Sequence, residues 1–143
     1  MSTFSRYSVF QVYDTSDLFS LEDISNYRGS ITAYDLSTNK VVRDCVTELY
    51  RNTFKSDLWR IRLYNKCFLY CTPDTKIMDA QGNFRKISEY KNFDEVMCLD
   101  MTNNTIAEIT NKDGVGVHDY AYVLKTSTGN AILNNFIVYT GED

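Results

Sequence analysis

Hydrophobic and polar residues alternate along most of this chain with the period of two that is typical of β-strands. The segment 57–65, DLWRIRLYN, shows the alternation most strictly, with Trp59, Ile61 and Leu63 on one side of the predicted strand. No segment has helical periodicity over the roughly ten residues that a stable helix needs. The chain is therefore predicted to be all-β.

Further strands are predicted wherever a short apolar or alternating run is bounded by turn-forming residues. They lie at residues 1–13, 31–36, 41–50, 69–71, 76–78, 84–87, 96–99, 106–110, 117–126 and 131–139. Gly82 lies in the turn 79–83, where a positive φ is expected. Two segments are expected to differ from strands: Ser20–Ile24 forms a short capped turn of helix, and Asn111–Gly116 forms the loosest loop.

The stretch Leu69–Asp79, LYCTPDTKIMD, lies at the centre of the chain. It contains a strand, a Thr-Pro-Asp turn and a second strand, so local signals predict an ordinary β-hairpin with its turn at Thr72–Thr75. The same reasoning predicts a hairpin turn at Ser127–Asn130, STGN, before the last pair of short strands.

The sequence also contains an internal repeat. When the chain is shifted by 65 positions, a unit of strand, Asp-containing turn and strand matches itself. The matched pairs are Phe19 with Phe84, Ile31 with Val96, Ala33 with Cys98, Asp35 with Asp100, Thr38 with Asn103, and Val41 with Ile106. A repeated supersecondary unit predicts two similar halves packed about a pseudo-two-fold axis.

Composition and charge limit the functional classes. The 143 residues suffice for one core, so we expect a single domain, residues 1–143. The formal net charge of −4 argues against general nucleic-acid binding, which normally has a basic footprint. No apolar run reaches about 18 residues, so no membrane span is expected. The first residues contain no apolar leader, so a cytoplasmic site of synthesis is the default expectation.

Four cysteines, Cys45, Cys67, Cys71 and Cys98, offer thiols for a metal site or a disulfide. Cys67 and Cys71 share one face of a predicted strand, where they lie roughly 13 Å apart. That separation is too long for a direct disulfide or for a single zinc ion. We therefore expect buried or half-buried free thiols, with no metal and no cofactor.

Several segments, in this order and spacing, resemble the Hint family of inteins and hedgehog autoprocessing domains. LEDI (Leu21–Ile24) followed by ITAYDLSTNKVV (Ile31–Val42) is similar to the family's first block. LYCTPDTKIMDAQGNFRKISEY (Leu69–Tyr90) and DEVMCLD (Asp94–Asp100) are similar to its second block and the strand beyond. YVLKTSTGNAILNNFIVYTG (Tyr122–Gly141) is similar to its C-terminal ending. The resemblance covers nearly the whole chain and implies a compact Hint-like β fold of two related halves.

The resemblance also implies where the chemistry of the family would lie. Autoprocessing begins when a Cys or Ser at the first position attacks the preceding peptide carbonyl. Counting back from LEDI places that position near Ser5, or at Ser8 in a longer alignment. The family's block histidine is replaced by Thr75, which has no group that titrates near neutral pH. Losing such a general acid costs about 10²–10⁴ in rate.

The C-terminal step of the family needs three further residues. The positions of its Asp, its penultimate His and its terminal Asn are Val123, Tyr139 and Thr140 in this chain. A threonine cannot cyclise to a succinimide as asparagine does. The only histidine, His118, matches no catalytic position of the family. The sequence is therefore expected to hold no intact catalytic residue, with Ser5, Thr75, Val123, Tyr139 and Thr140 as degenerate positions.

Two functional classes follow from this comparison. The leading prediction is a catalytically inactive Hint-like module, not an enzyme, that acts as a structural or interaction subunit of a larger assembly, for example a phage virion. Its partners would be protein subunits, without membrane, nucleic acid or small-molecule substrate. The alternative is an autoprocessing domain of the protein-splicing type that uses Ser5 or Ser8 as its nucleophile.

A third hypothesis is contact with nucleic acid through a basic, aromatic stretch. The residues concerned are Arg43, Arg51, Lys55, Arg60, Arg62 and Lys66, with Trp59 and Tyr64 between them. Three acidic residues, Asp44, Glu48 and Asp57, interrupt these charges. The interruption favours a solvated strand face over a nucleic-acid interface.

Overall fold

The computed structural model describes residues 2–13, 17–23, 29–52, 55–100, 103–118 and 121–141. Within these ranges the chain forms strands and one 3₁₀ turn at Ile87–Glu89, and no α-helix. The strands are β1 Phe4–Ser5, β2 Val9–Gln11, β3 Leu18–Ser20, β4 Ser30–Asp35, β5 Lys40–Arg51, β6 Ser56–Leu63, β7 Phe68–Cys71, β8 Lys76–Met78, β9 Phe84–Lys86, β10 Glu95–Asp100, β11 Asn103–His118, β12 Ala121–Thr126, β13 Asn130–Leu133 and β14 Phe136–Tyr139. The prediction of an all-β chain is confirmed.

All the strand pairings are antiparallel, and they link the strands into one continuous path. The order along it is β3-β2-β13-β14-β10-β11-β6-β7-β1-β12-β5-β4, with β8 beside β14 and β9 beside β8. Strands from the beginning, middle and end of the chain are thus neighbours. Strand β1 lies between β7 and β12, and this position brings the first residues into the centre of the fold.

The core forms because alternate residues of each strand point to the same side of the sheet. In β6, for example, Ile61 and Leu63 are buried while Arg62 between them is exposed. Buried side chains from strands throughout the chain meet in one main cluster. Its members include Phe4, Phe10, Ile31, Leu49, Ile61, Leu69, Val96, Ile109, Leu133 and Phe136.

The internal repeat corresponds to two similar hairpins, β4–β5 and β10–β11. Their first strands align as predicted, but their turns differ in length. Asp35 pairs with Lys40, whereas Asp100 pairs with Asn103, so the second hairpin returns two residues earlier. The predicted match of Val41 with Ile106 is therefore out of register by two residues.

The predicted hairpin at Thr72–Thr75 is wrong, although the turn itself is present. Strand β7 pairs with β6 and β1, whereas β8 pairs with β14 and β9. The turn therefore carries the chain from one group of strands to another. The turn at 127–129 behaves in the same way, because β12 pairs with β1 and β5 while β13 pairs with β14 and β2.

The predicted loop Asn111–Gly116 is also wrong, because β11 continues through it to His118. Register shifts between Ile109 and Asn111 and between Gly114 and Gly116 mark two bulges against β6. Gly116 has a φ of +94°, which glycine adopts without steric cost. The polar and glycine residues that suggest a loop therefore belong to a bulged strand.

The turn predicted to be helical at residues 20–24 follows an unpredicted strand, β3. The Ser20 hydroxyl accepts a hydrogen bond from the Asp23 amide at 3.2 Å, which is the expected capping contact. Ile24 lies outside the described residues. No helix in the described part of the chain is long and apolar enough to cross a membrane.

The four cysteines are free thiols. Cys71 and Cys98 are buried and Cys67 is half-buried, as expected, whereas Cys45 is exposed. Cys45 lies on the outer side of β5, where its neighbours Asp44 and Val46 take the buried positions.

Candidate active site

The first described residues of the chain are bound to the turn that follows β7. The Thr3 amide donates a hydrogen bond to the Thr72 hydroxyl oxygen at 3.1 Å. The Thr72 amide donates in return to the Thr3 carbonyl at 3.0 Å. These bonds continue the antiparallel pairing of Phe4 with Cys71. The peptide bond between Ser2 and Thr3 is thereby held beside Thr72.

Two hydroxyl groups of the turn form a pair behind this peptide bond. The Thr72 and Thr75 hydroxyl oxygens are 3.0 Å apart, and Thr75 is fully buried. The Thr75 amide also donates to the Thr72 carbonyl at 3.0 Å, which closes the turn. The Thr3 amide, the Thr72 hydroxyl and the Thr75 hydroxyl thus form a continuous hydrogen-bonded row.

Two further hydroxyls in the site have no partner among the described residues. Ser2 is 7% exposed and Thr3 is 2% exposed. Their hydroxyl oxygens are buried and have no hydrogen-bond partner among the described residues. Leaving a buried polar group unsatisfied costs about 1–3 kcal/mol, so such groups often have a role other than stability.

An ionised carboxylate lies on the same turn. Burial raises the pKa of Asp74, whereas hydrogen bonds to its carboxylate, one of them from the Thr72 side chain, lower it. The net effect places the Asp74 pKa below its ordinary value, so the half-buried side chain is ionised at neutral pH.

The pKa of Cys71, just before the turn, is raised, whereas that of Asp74 is lowered. Complete burial raises the pKa of its thiol to about 12, which a hydrogen bond with Thr75 only partly offsets. The thiol therefore stays protonated at neutral pH. Because the thiolate is the nucleophilic form, Cys71 is not an active nucleophile in this site.

The last strand brings the end of the described chain to the same place. Val138 in β14 pairs with Ile77 in β8. The Lys76 ammonium lies 5.1 Å from the centre of the Tyr139 ring, as expected for neighbours in the same register. The last strand therefore lies beside β8, the strand that follows the Thr72–Thr75 turn.

The hydroxyl of Thr140 is engaged in its own network. Thr126 donates its hydroxyl to the Asn130 carbonyl at 2.8 Å. It must then accept from the Thr140 hydroxyl, 2.7 Å away, because a hydroxyl has a single proton to donate. The Lys125 ammonium donates to the Gly141 carbonyl at 3.1 Å.

Of the five positions predicted from the family, Thr75 lies in the turn and Tyr139 contacts Lys76, the next residue along the chain, whereas Thr140 contacts Thr126. Val123 is fully buried in the middle of β12. The Ser5 hydroxyl lies 3.3 Å from that of Ser8, so these two contact each other. His118 pairs through its backbone with Ser56 at the far end of β11.

The sequence did not point to Ser2, Thr3 or Asp74. Thr3 takes the position beside Thr72 because Phe4 pairs with Cys71, and this register is not encoded locally. The available signal was the pair of small hydroxyl residues directly before Phe4, which becomes a core residue.

The sequence matches no family model and no curated protein. The fold, however, matches solved structures along its length. A DnaB intein from Synechocystis has a TM-score of 0.91 at 15% identity, covering 99% of this chain and 100% of that chain. A variant of the Ssp DnaB mini-intein has a TM-score of 0.90 at 14% identity, covering 99% and 96%. An intein from a hyperthermophile has a TM-score of 0.84 at 13% identity, covering 97% and 99%.

These matches assign the chain to the Hint fold of inteins, and the predicted Hint-like β fold is confirmed. They contradict the prediction of a catalytically inactive structural subunit, and with it the prediction that the chain is not an enzyme. The matched structures are inteins. The prediction of inactivity was drawn from the residues at Ser5, Thr75, Val123, Tyr139 and Thr140, whereas the finding that contradicts it is the match of the fold.

Proposed function

We propose that this chain is an intein-like autoprocessing domain in which the Thr3 hydroxyl attacks the Ser2 carbonyl carbon. The observation that supports it is the state of Thr3. Its amide nitrogen is held by the Thr72 hydroxyl, while its own hydroxyl is buried and has no partner among the described residues. A hydroxyl in that condition is available for nucleophilic attack on the neighbouring carbonyl.

The proposed step is an acyl shift from nitrogen to oxygen. A bond forms between the Thr3 hydroxyl oxygen and the Ser2 carbonyl carbon, and the bond from that carbon to the Thr3 nitrogen breaks. The hydroxyl proton ends on the departing nitrogen, so the product is an ester with a free amine on Thr3. Water then cleaves the ester and releases the preceding polypeptide with a carboxylate on Ser2.

The residues of the turn have distinct roles in this step. The Thr72 hydroxyl fixes the scissile amide by accepting its N–H. The hydrogen-bonded hydroxyls of Thr72 and Thr75 offer a route along which the proton can move. Asp74, ionised and in contact with the Thr72 side chain, orients this hydroxyl at the scissile nitrogen, and the proton lost by the Thr3 hydroxyl passes to that departing nitrogen.

The proposed reaction is slow and confined to the N-terminal bond. Thr75 cannot donate a proton as an imidazolium does, so the rate is expected to be about 10²–10⁴ below that of a site with a histidine there. Thr140 cannot cyclise to a succinimide, and its hydroxyl is engaged with Thr126. The C-terminal peptide bond is therefore expected to stay intact.

Trapping the ester with hydroxylamine tests the proposal. A reporter domain is fused before Met1, and the purified fusion is incubated with hydroxylamine near neutral pH. The expected product is the reporter ending at Ser2 as a hydroxamate, identified by intact mass. Thr3→Ala should abolish this product, whereas Ser5→Ala, which removes the hydroxyl contacting Ser8, should leave it unchanged.

Three outcomes would contradict the proposal. One is the absence of any ester product from the parent fusion. Another is a product that persists in Thr3→Ala. The third is cleavage after Met1, which would assign the nucleophile to the Ser2 hydroxyl.

A further inference from the structure

The strongest unexplained feature outside the site is a half-buried lysine on the core side of β11. Lys112 pairs with Ile61, so both side chains lie on the same side of the sheet, and Ile61 is fully buried in the core. The bulge between Ile109 and Asn111 shifts the register by one residue. Without it, Asn111 would face Ile61 and Lys112 would point away.

The ammonium of Lys112 is bound by backbone carbonyls at the 3₁₀ turn. It donates to the carbonyl of Ile87 at 3.0 Å, to that of Ser88 at 3.2 Å, and to that of Tyr90. These three bonds use all three donors of an ammonium group. The Trp59 ring, whose centre lies 5.4 Å away, provides a further favourable contact for the cation.

The same 3₁₀ turn is hydrogen-bonded to the candidate active site. The Ile87 amide donates to the Thr75 carbonyl at 2.8 Å, and the Ser88 amide donates to the Pro73 carbonyl at 3.1 Å. Both bonds end within the Thr72–Thr75 turn. Ile87 and Ser88 therefore each bind Lys112 through their carbonyls and the active-site turn through their amides.

We propose that Lys112 is a positioning residue for the acyl shift. Its ammonium fixes the carbonyls of the 3₁₀ turn, whose amides fix Pro73 and Thr75. The Thr72 hydroxyl, which holds the Thr3 amide, is fixed in consequence. The expected effect of Lys112 on the acyl shift rests on the proposed function. Its effect on the position of Thr3 rests on the hydrogen bonds alone.

Lys112 is a charged donor, and the contacts from the 3₁₀ turn to Pro73 and Thr75 depend on its hydrogen bonds to that turn. Removing the ammonium takes one donor from the carbonyls of Ile87, Ser88 and Tyr90, of which that of Ile87 still accepts the Tyr90 amide, and the cost is concentrated in the 3₁₀ turn. Hairpin β4–β5 shares none of these contacts and serves as an internal reference.

The test compares Lys112→Met, which keeps the length of the side chain without its charge, with Lys112→Arg, which keeps the charge. Lys40→Met, at an exposed position of β5, is the control. Amide hydrogen exchange is measured by NMR, and ester formation is measured with hydroxylamine on the reporter fusion.

In Lys112→Met, exchange of the Ile87, Ser88 and Thr3 amides is expected to rise about 10- to 100-fold, while amides of hairpin β4–β5 keep their rates. Ester formation is expected to fall by a similar factor. Lys112→Arg should restore both readouts in large part, and Lys40→Met should change neither.

Two results would overturn the inference: an unchanged exchange rate at Thr3, or an equal rise at every amide. An ester rate in Lys112→Met equal to that of the parent would also overturn it. If the parent fusion forms no ester, but exchange at Thr3 rises selectively, then the proposed function fails while the positioning of Thr3 by Lys112 stands.

Discussion

Thr3 and Thr72 exchange two hydrogen bonds, one from each backbone amide, and only one of them ends on a side chain. The Thr72 amide bonds to the Thr3 carbonyl, whereas the Thr3 amide bonds to the Thr72 hydroxyl. Ordinary strand pairing would satisfy both amides with carbonyls. Here the Thr72 hydroxyl takes the place of a carbonyl acceptor. A group that can carry a proton therefore lies at the nitrogen of the Ser2–Thr3 peptide bond.

Thr72→Val should separate the role of this hydroxyl from the shape of its side chain. Valine has nearly the same shape but cannot accept the Thr3 N–H. We expect the free energy of unfolding to fall by about 1 kcal/mol. The ester formed with the reporter fusion should fall by more than the tenfold that about 1.4 kcal/mol represents, because the scissile amide loses its support. Urea denaturation and the hydroxylamine assay measure the two effects.

Thr47→Val is the matched control, since Thr47 is exposed in the middle of β5. It should leave both measurements unchanged. An ester rate in Thr72→Val equal to that of the parent would show that the hydroxyl does not assist the reaction.

Thr75→His should accelerate the reaction. The imidazole would supply the general acid that the hydroxyl cannot, and the gain is expected to lie between about 10² and 10⁴. The rate should then depend on pH in the range where histidine titrates. Thr75→Gln is the control for altered packing at this buried position, because glutamine is polar and comparable in size to histidine but does not titrate. Equal rates in the two variants would argue against proton donation as the limiting factor.

Ser2→Ala should stabilise the protein. The Ser2 hydroxyl is buried and has no partner among the described residues, so its removal relieves a desolvation cost. We expect the free energy of unfolding to rise by about 1 kcal/mol. Thr3→Val should give a similar gain for the same reason and should also abolish ester formation. Loss of stability in both variants would indicate that these hydroxyls have bonding partners in solution.

Asp74 should contribute stability that depends on pH. Burial raises its pKa, but the hydrogen bonds at its carboxylate place the folded-state pKa below the ordinary value. The ionised form therefore stabilises the fold above about pH 4. This contribution is lost as the pH falls through the lower, folded-state pKa.

Asp74→Asn should accordingly lower the free energy of unfolding at pH 7 and have a smaller effect at pH 3. Urea denaturation at the two pH values measures the difference. Asp57→Asn, at an exposed position of β6, is the reference and should behave alike at both. A destabilisation by Asp74→Asn that is as large at pH 3 as at pH 7 would contradict the assignment.

Local patterns predicted most strands because alternation reports directly which side of a strand is buried. The segment 57–65 is an example, since β6 occupies Ser56–Leu63. Gly82 also adopts the expected positive φ, +87°, in a turn closed by the bond from the Asp79 amide to the Asn83 carbonyl. These features depend on neighbours within a few residues.

The pairing of strands was predicted less well, because it depends on residues far apart in the sequence. Nothing local distinguishes a turn that closes a hairpin from one that transfers the chain between partners, as at Thr72–Thr75. The position of Thr3 was not predicted for the same reason, because it follows from the pairing of Phe4 with the distant Cys71. The candidate site was therefore predicted at its turn, whereas Thr3, the proposed nucleophile, was not predicted.

The turns of hairpins β4–β5 and β10–β11 differ in length by two residues. This even difference indicates which changes in turn length the fold can accept. Asp35 pairs with Lys40 and Asp100 with Asn103, so the returning strands are offset by two positions. A change of two residues preserves which side chains face inward, whereas a change of one would turn the whole returning strand inside out. Insertions and deletions at these tips should therefore be tolerated in pairs and rejected singly.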